Sequence, residues 1–159
     1  MHHSMRRSGP VAAVLLALAL VLASSPCRAQ SVSSTTVGPD GSATLKNGRF
    51  TLVIPKGALR ERATIRMAVG SGTATTITLD ITPESANDFR IPLTLMADVK
   101  DAPPVASPTL GMLTFDPTVG KWKKVDGSRN DIVVKRVSAP LWHFSIYGVG
   151  DVVSGKAGW

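Results

Sequence analysis

Of the 159 residues one is a cysteine, Cys27, and three are histidines, two of them at positions 2 and 3. A metal centre built from nitrogen and sulfur ligands therefore has almost nothing to draw on. Past Cys27 the supply is His143 alone, so no zinc tetrad can be assembled, and no metal or cofactor is expected. There is no Asn-x-Ser/Thr acceptor for N-glycosylation. No stretch shows a 3.6-residue apolar period with caps, so a phosphate-cradling glycine loop would have no helix to lead into. Acids are also few: 11 against 18 Lys and Arg, a net charge of +7 and a pI of about 10.1. The basic residues are spread along the chain rather than clustered, which argues for a solvated face and against nucleic acid.

The one long apolar run, residues 11–22, is too short for the roughly 18 to 20 residues of a membrane-spanning helix. It follows Arg6-Arg7 and precedes Ala23-Ser24-Ser25-Pro26-Cys27-Arg28-Ala29, an arrangement expected of a secretory signal peptide, 1–29, cleaved after Ala29. Pro26 is a poor fit to the small residue that precedes a lipidated cysteine, so a lipid anchor at Cys27 is the lesser alternative. Removing 1–29 takes away Arg6, Arg7 and Arg28 and no acid, leaving 15 − 11 = +4. It also removes Cys27, so the exported chain is expected to be secreted or periplasmic, without a disulfide or a transmembrane segment, and to rest on its hydrophobic core.

The remaining 130 or so residues suit one domain of ordinary size. Within it Phe50, Leu52 and Ile54, then Ile65, Met67 and Val69, then Ile77, Leu79 and Ile81, alternate with polar or small residues. Such period-two runs are half-buried strands. Phe89, Ile91, Leu93 and Leu95 continue the pattern, with Pro92 placing that strand at an edge or on a bulge. Turn signals separate the runs: Asn47-Gly48, Gly70-Ser71-Gly72, Thr82-Pro83-Glu84, Val119-Gly120 and Asp126-Gly127-Ser128. The expected fold is all-β, an antiparallel β-sandwich of short strands over 42–150. The polar stretch 30–41 reads as a flexible leader and 151–159 as a loose tail.

These residues also support a family resemblance. Gly41-Ser42-Ala43-Thr44-Leu45, the segment Ile54-Pro55-Lys56-Gly57-Ala58-Leu59 and Thr64-Ile65-Arg66-Met67 resemble the opening of the ZU-five domain. Arg90-Ile91-Pro92-Leu93-Thr94-Leu95, Gly120-Lys121-Trp122 and Trp142-His143-Phe144-Ser145-Ile146-Tyr147 resemble its later strands. That domain is shared by zonula occludens, netrin-receptor and ankyrin proteins and occurs in bacterial exported proteins. The resemblance implies a β-sandwich used for contacts within or between proteins, with no enzyme activity and no cofactor. In its turn motif Pro55 ends a strand, Gly57 supplies a permissive backbone, and Ala58-Leu59 tuck onto the core. The expected function is a secreted or periplasmic, non-catalytic interaction or envelope-structural module whose protein partner is unidentified.

Two alternatives stand beside it. Trp122, Trp142, Tyr147 and Trp159 are candidates for a sugar-binding platform, although Trp122 and Trp142 are better read as core or edge packing. Asp126-Gly127-Ser128-Arg129-Asn130-Asp131 has a calcium-loop flavour with its glycine in the wrong place, so a hairpin turn explains it better. The second alternative rests on His143, Phe144 and Ser145. In relatives of the ZU-five domain joined to death-fold signalling proteins, a His-Phe-Ser sequence cuts itself between Phe and Ser. The resemblance implies that the Ser145 hydroxyl attacks the Phe144 carbonyl, that His143 takes the hydroxyl proton, and that water hydrolyses the resulting ester. Alternation along a strand would bury Trp142, Phe144 and Ile146 and put His143 and Ser145 together on the other face. In a regular strand they would stand about 6 to 7 Å apart, beyond hydrogen-bond reach, so the chemistry needs a bulge or kink.

Overall fold

The computed structural model describes residues 30–70, 74–104 and 107–159. The expected signal peptide, its cleavage site and Cys27 lie outside the described residues. Twelve strands are described: β1 (Ser31–Val37), β2 (Ala43–Asn47), β3 (Phe50–Ile54), β4 (Ala63–Val69), β5 (Thr76–Thr82), β6 (Leu93–Asp98), β7 (Leu110–Asp116), β8 (Lys121–Lys124), β9 (Arg129–Asp131), β10 (Arg136–Leu141), β11 (Ile146–Asp151) and β12 (Lys156–Ala157). Among the described residues helix is confined to two single 3₁₀ turns, Glu84–Ala86 and Ser107–Thr109.

The strands make two sheets, ordered β1-β4-β5-β11-β7-β8, with β12 on β11, and β2-β3-β6-β10-β9. Neighbouring strands are antiparallel throughout, and neither sheet closes into a barrel, so the fold is the expected all-β sandwich. The alternating residues form its core. Phe50, Leu52 and Ile54 of β3, with Leu93 and Leu95 of β6, meet Ile65 and Met67 of β4 and Ile77 and Leu79 of β5 across the layer. Full burial of each such side chain stabilises by about 1.5 to 3 kcal/mol.

The turn after β3 takes the expected form. Gly57 has φ +82°, and its amide donates to the Pro39 carbonyl at 2.8 Å, while Ala58 and Leu59 are buried. A side chain there would force the left-handed region on a residue that avoids it. The Asp126-Gly127-Ser128 stretch is a turn as well, closed by Ser128 N–H to the Val125 carbonyl at 3.0 Å.

Several expectations are corrected. The stretch 30–41 holds strand β1, paired with β4 along its whole length from Ser31 opposite Val69 to Val37 opposite Ala63. Hydroxyls tie it down: Ser31 Oγ donates to Asn47 Oδ1 at 2.7 Å, Ser33 Oγ to the Lys46 carbonyl at 3.1 Å, and Thr36 and Thr64 share a hydrogen bond at 2.9 Å. Asn47, the one buried polar residue among those described, returns its Nδ2 to the carbonyls of Ser31 and Met67. The tail 151–159 is likewise built in. It turns back after Asp151, pairs with β11 through β12, and lays Trp159 on the Arg49 guanidinium at 4.8 Å from the ring centre. Pro92 precedes β6, which lies between β3 and β10, so that strand is interior; β6 begins only where the missing amide no longer matters, and Ile91 is exposed.

Candidate functional site

The His143-Phe144-Ser145 segment is not part of a strand. Strand β10 ends at Leu141 in one sheet, β11 begins at Ile146 in the other, and residues 142–145 bend across the gap. The bend breaks the expected alternation. Phe144 is buried, but Trp142 and Ile146 are exposed, and the next buried side chain is Tyr147. Trp142 is therefore neither core nor edge packing.

A segment leaving one sheet and not yet in the next must find other partners for its backbone groups. Here each carbonyl in turn has a donor. Phe89 N–H donates to Trp142 O at 3.1 Å, Tyr147 Oη–H to His143 O at 2.7 Å, Asn87 Nδ2 to Phe144 O at 3.4 Å and Leu79 N–H to Ser145 O at 3.1 Å. Asn87 Oδ1 in turn accepts the Phe144 N–H at 2.5 Å, so one side-chain amide clamps both polar groups of Phe144 as a paired strand would. Asn87 is placed by the 3₁₀ turn before it, whose Glu84 carbonyl accepts the Asn87 N–H at 2.9 Å. The Phe144 ring packs edge-on against Phe89, centroids 4.9 Å apart. Burial pushes the Tyr147 hydroxyl up to about 12, which keeps it protonated and donating to His143 O.

The kink that self-cleavage would need is thus present, in an unexpected form. The His143 ring turns to the carbonyl that would be attacked, with Nδ1 3.2 Å from Phe144 O, a hydrogen bond in the tautomer protonated on Nδ1. Together with Asn87 Nδ2 it brings two side-chain nitrogens to that oxygen. No hydrogen bond joins the imidazole to Ser145 Oγ among the described residues. Ser145 borders an open groove of about 630 Å³, with Thr82, Glu84 and Asn87 on its walls, so water has access to the peptide bond. Asn87 carries no signal in the sequence: its neighbourhood reads only as the turn around Pro83, and its partner stands 57 positions away.

The aromatic residues proposed as a sugar platform do not come together. Trp122 is half-buried on the edge strand β8, tilted over Phe115 at 5.2 Å, and Trp159 covers Arg49. Tyr147 is buried, Trp142 stands in the crossover, and no ring contact joins any two of the four among the described residues. No group of three or more His, Cys, Asp or Glu side chains placed to hold a metal ion occurs among the described residues. No helix there is long and apolar enough to cross a membrane. Compared with protein-family models and with curated proteins, the chain matches none.

Between β9 and β10 the chain turns through Ile132, Val133 and Val134, with exposures of 59%, 87% and 50%. Three consecutive aliphatic side chains at the tip of a hairpin thus each leave half or more of their surface in water. The turn holds its shape through Asp131 Oδ1, which accepts the amides of Val133 and Val134 at 3.1 Å each, and through Lys135 at φ +53°.

Proposed function

We propose that this chain is an exported, non-catalytic β-sandwich of the ZU-five type that works as an interaction or envelope-structural module. The Ile132-Val133-Val134 tip carries the reading. Contiguous exposed apolar side chains on a well-packed domain mark a contact surface, because leaving them hydrated forfeits the burial that drives folding elsewhere. The likeness to the ZU-five turn at Pro55, Gly57 and Ala58 supports the family, and the apolar run before residue 30 supports export. A photo-crosslinker in place of Val133, used in intact cells, should give a discrete adduct that the same group at exposed Lys56 does not; adducts at neither position would sink the module reading.

A second reading, self-cleavage between Phe144 and Ser145, is supported by the two nitrogens on Phe144 O. Donors there polarise the carbonyl and would hold the oxyanion that forms as Ser145 Oγ adds. The C–N bond then breaks, its nitrogen leaves protonated, and water hydrolyses the ester. For His143 to take the hydroxyl proton its ring must rotate off Phe144 O, which leaves Asn87 Nδ2 as the donor to the oxyanion. The cut chain would stay together, since β11 is paired on both sides by β5 and β7. A denaturing gel should show two pieces at unchanged native size and a single chain for Ser145→Ala. A wild-type chain that stays whole after days at neutral pH and after hydroxylamine overturns it.

A further inference from the structure

We infer that the β9–β10 tip docks on an anionic lipid bilayer, with Ile132, Val133 and Val134 entering the acyl boundary and a collar of cations meeting the headgroups. The inference rests on the interaction reading above and names its partner. Three observations point to lipid. The tip is aliphatic and β-branched and holds no Trp or Tyr, the anchors that dominate protein interfaces. Part of its backbone is satisfied from within: the Val133 and Val134 amides go to Asp131 Oδ1, and at its base the Lys135 carbonyl accepts the Val99 N–H at 2.9 Å. An apolar medium offers no replacement partners, so a loop that enters it must bring its own. Around its base stand exposed Arg129, Lys135, Arg136 and Lys100.

The charge balance at the collar favours an anionic surface. Arg129 and Lys135 have no ion pair among the described residues. Arg136 lies opposite Asp131 and Asp98 in the ladder, and the Asp98 carboxylate is engaged by Lys100 at 2.8 Å. With Arg49 and Asp101, which pair with each other at 2.7 Å beside Lys100, five cations face three nearby carboxylates, and one of those, Asp131, points an oxygen into the turn. Cations near a negatively charged leaflet add to the apolar contact and fade with salt, whereas the aliphatic contribution does not.

The test uses the full chain with Cys27→Ser, carrying an environment-sensitive dye at Val133→Cys, with the same dye at Lys56→Cys as control. Lys56 lies past the Ile54 end of β3, whereas the tip lies at the Phe50 end, since Phe50 pairs with Ala97 and the next residue, Asp98, with Arg136. A dye at the tip separates docking there from any binding through the apolar run at 11–22. Vesicles mixing phosphatidylglycerol with phosphatidylethanolamine should shift the dye at 133 to the blue and leave that at 56 unchanged; pure phosphatidylcholine should do neither. Lys135→Gln with Arg136→Gln should weaken the shift at least about tenfold in lipid concentration, and raised salt should act in the same sense. Thermal melts of each variant confirm that the fold is kept. A dye at 133 that stays silent with every vesicle overturns the lipid inference. A specific protein adduct at 133 in intact cells would then leave the module reading standing, and no adduct would remove both. An equal shift with phosphatidylcholine, unaffected by the glutamine pair, overturns the anionic surface.

Discussion

Tyr147 is the only tyrosine in the chain, so its ionisation can be read directly from ultraviolet absorbance. Its hydroxyl is buried beneath the crossover and donates to His143 O, and burial raises it from 10.0 to about 12. The native protein should titrate near 12 and the urea-unfolded chain near 10. Because the folded value is the higher, the stability linked to this group is fully present below pH 10 and is lost as pH rises from 10 through 12. A native midpoint near 10 with the fold intact would mean that the hydroxyl is not held beneath the crossover. Part of this site was legible. The sequence singles out His143, Phe144 and Ser145 and the need for a kink. It does not reveal Asn87, because an amide that pairs with a distant backbone leaves no periodic mark. Nor does it reveal that His143 turns to the carbonyl, which depends on where the crossover bends.

At the scale of elements, strands with apolar alternation were legible and strands built from other bonds were not. The alternation of β3, β4 and β5 reads directly, since each buries one face against the other sheet. Strand β1 is Ser- and Thr-rich and is held by its ladder to β4 and by hydroxyls around Asn47, so it looks like a leader until β4 is in place. Strand β12 depends on glycine. A side chain at Gly150 would run into the Lys156 carbonyl and lie 2.6 Å from Ala157 Cα, and one at Gly148 would meet Ala157 and Trp122. These are backbone obstacles at Gly150, so Gly150→Val should push β12 off β11, release Trp159 from Arg49 and cost about 1 to 3 kcal/mol. Carboxypeptidase should then trim the last residues of the variant and leave the wild type intact. Equal resistance in both would show that β12 is not held by this close approach.

For the whole molecule, acid should be the destabilising direction near the carboxylate range. Hydrogen bonding from Lys100 holds the Asp98 carboxyl below its usual value, Arg49 does the same for Asp101, and Lys123 for Asp116. Folded values depressed in this way contribute stability above the unfolded carboxylate value of about 3.9, lost as pH falls through the lower folded ones. These groups are partly or fully exposed and each contribution is small. The melting temperature should be flat from neutral to about pH 5 and fall below about pH 4; a protein whose stability rose on acidification would contradict it. By itself the sequence determined the fold class, since period-two runs broken by glycine and proline turns can bury an apolar face only by pairing into sheets that stack. It also determined the turn at Gly57, which local backbone sterics settle. Tertiary structure alone decided that 30–41 and 151–159 each contribute a strand, that 142–145 crosses between sheets with Asn87 as its clamp, and that Ile132, Val133 and Val134 are exposed. Each of these depends on which distant segment lies alongside, and a one-dimensional pattern does not carry that.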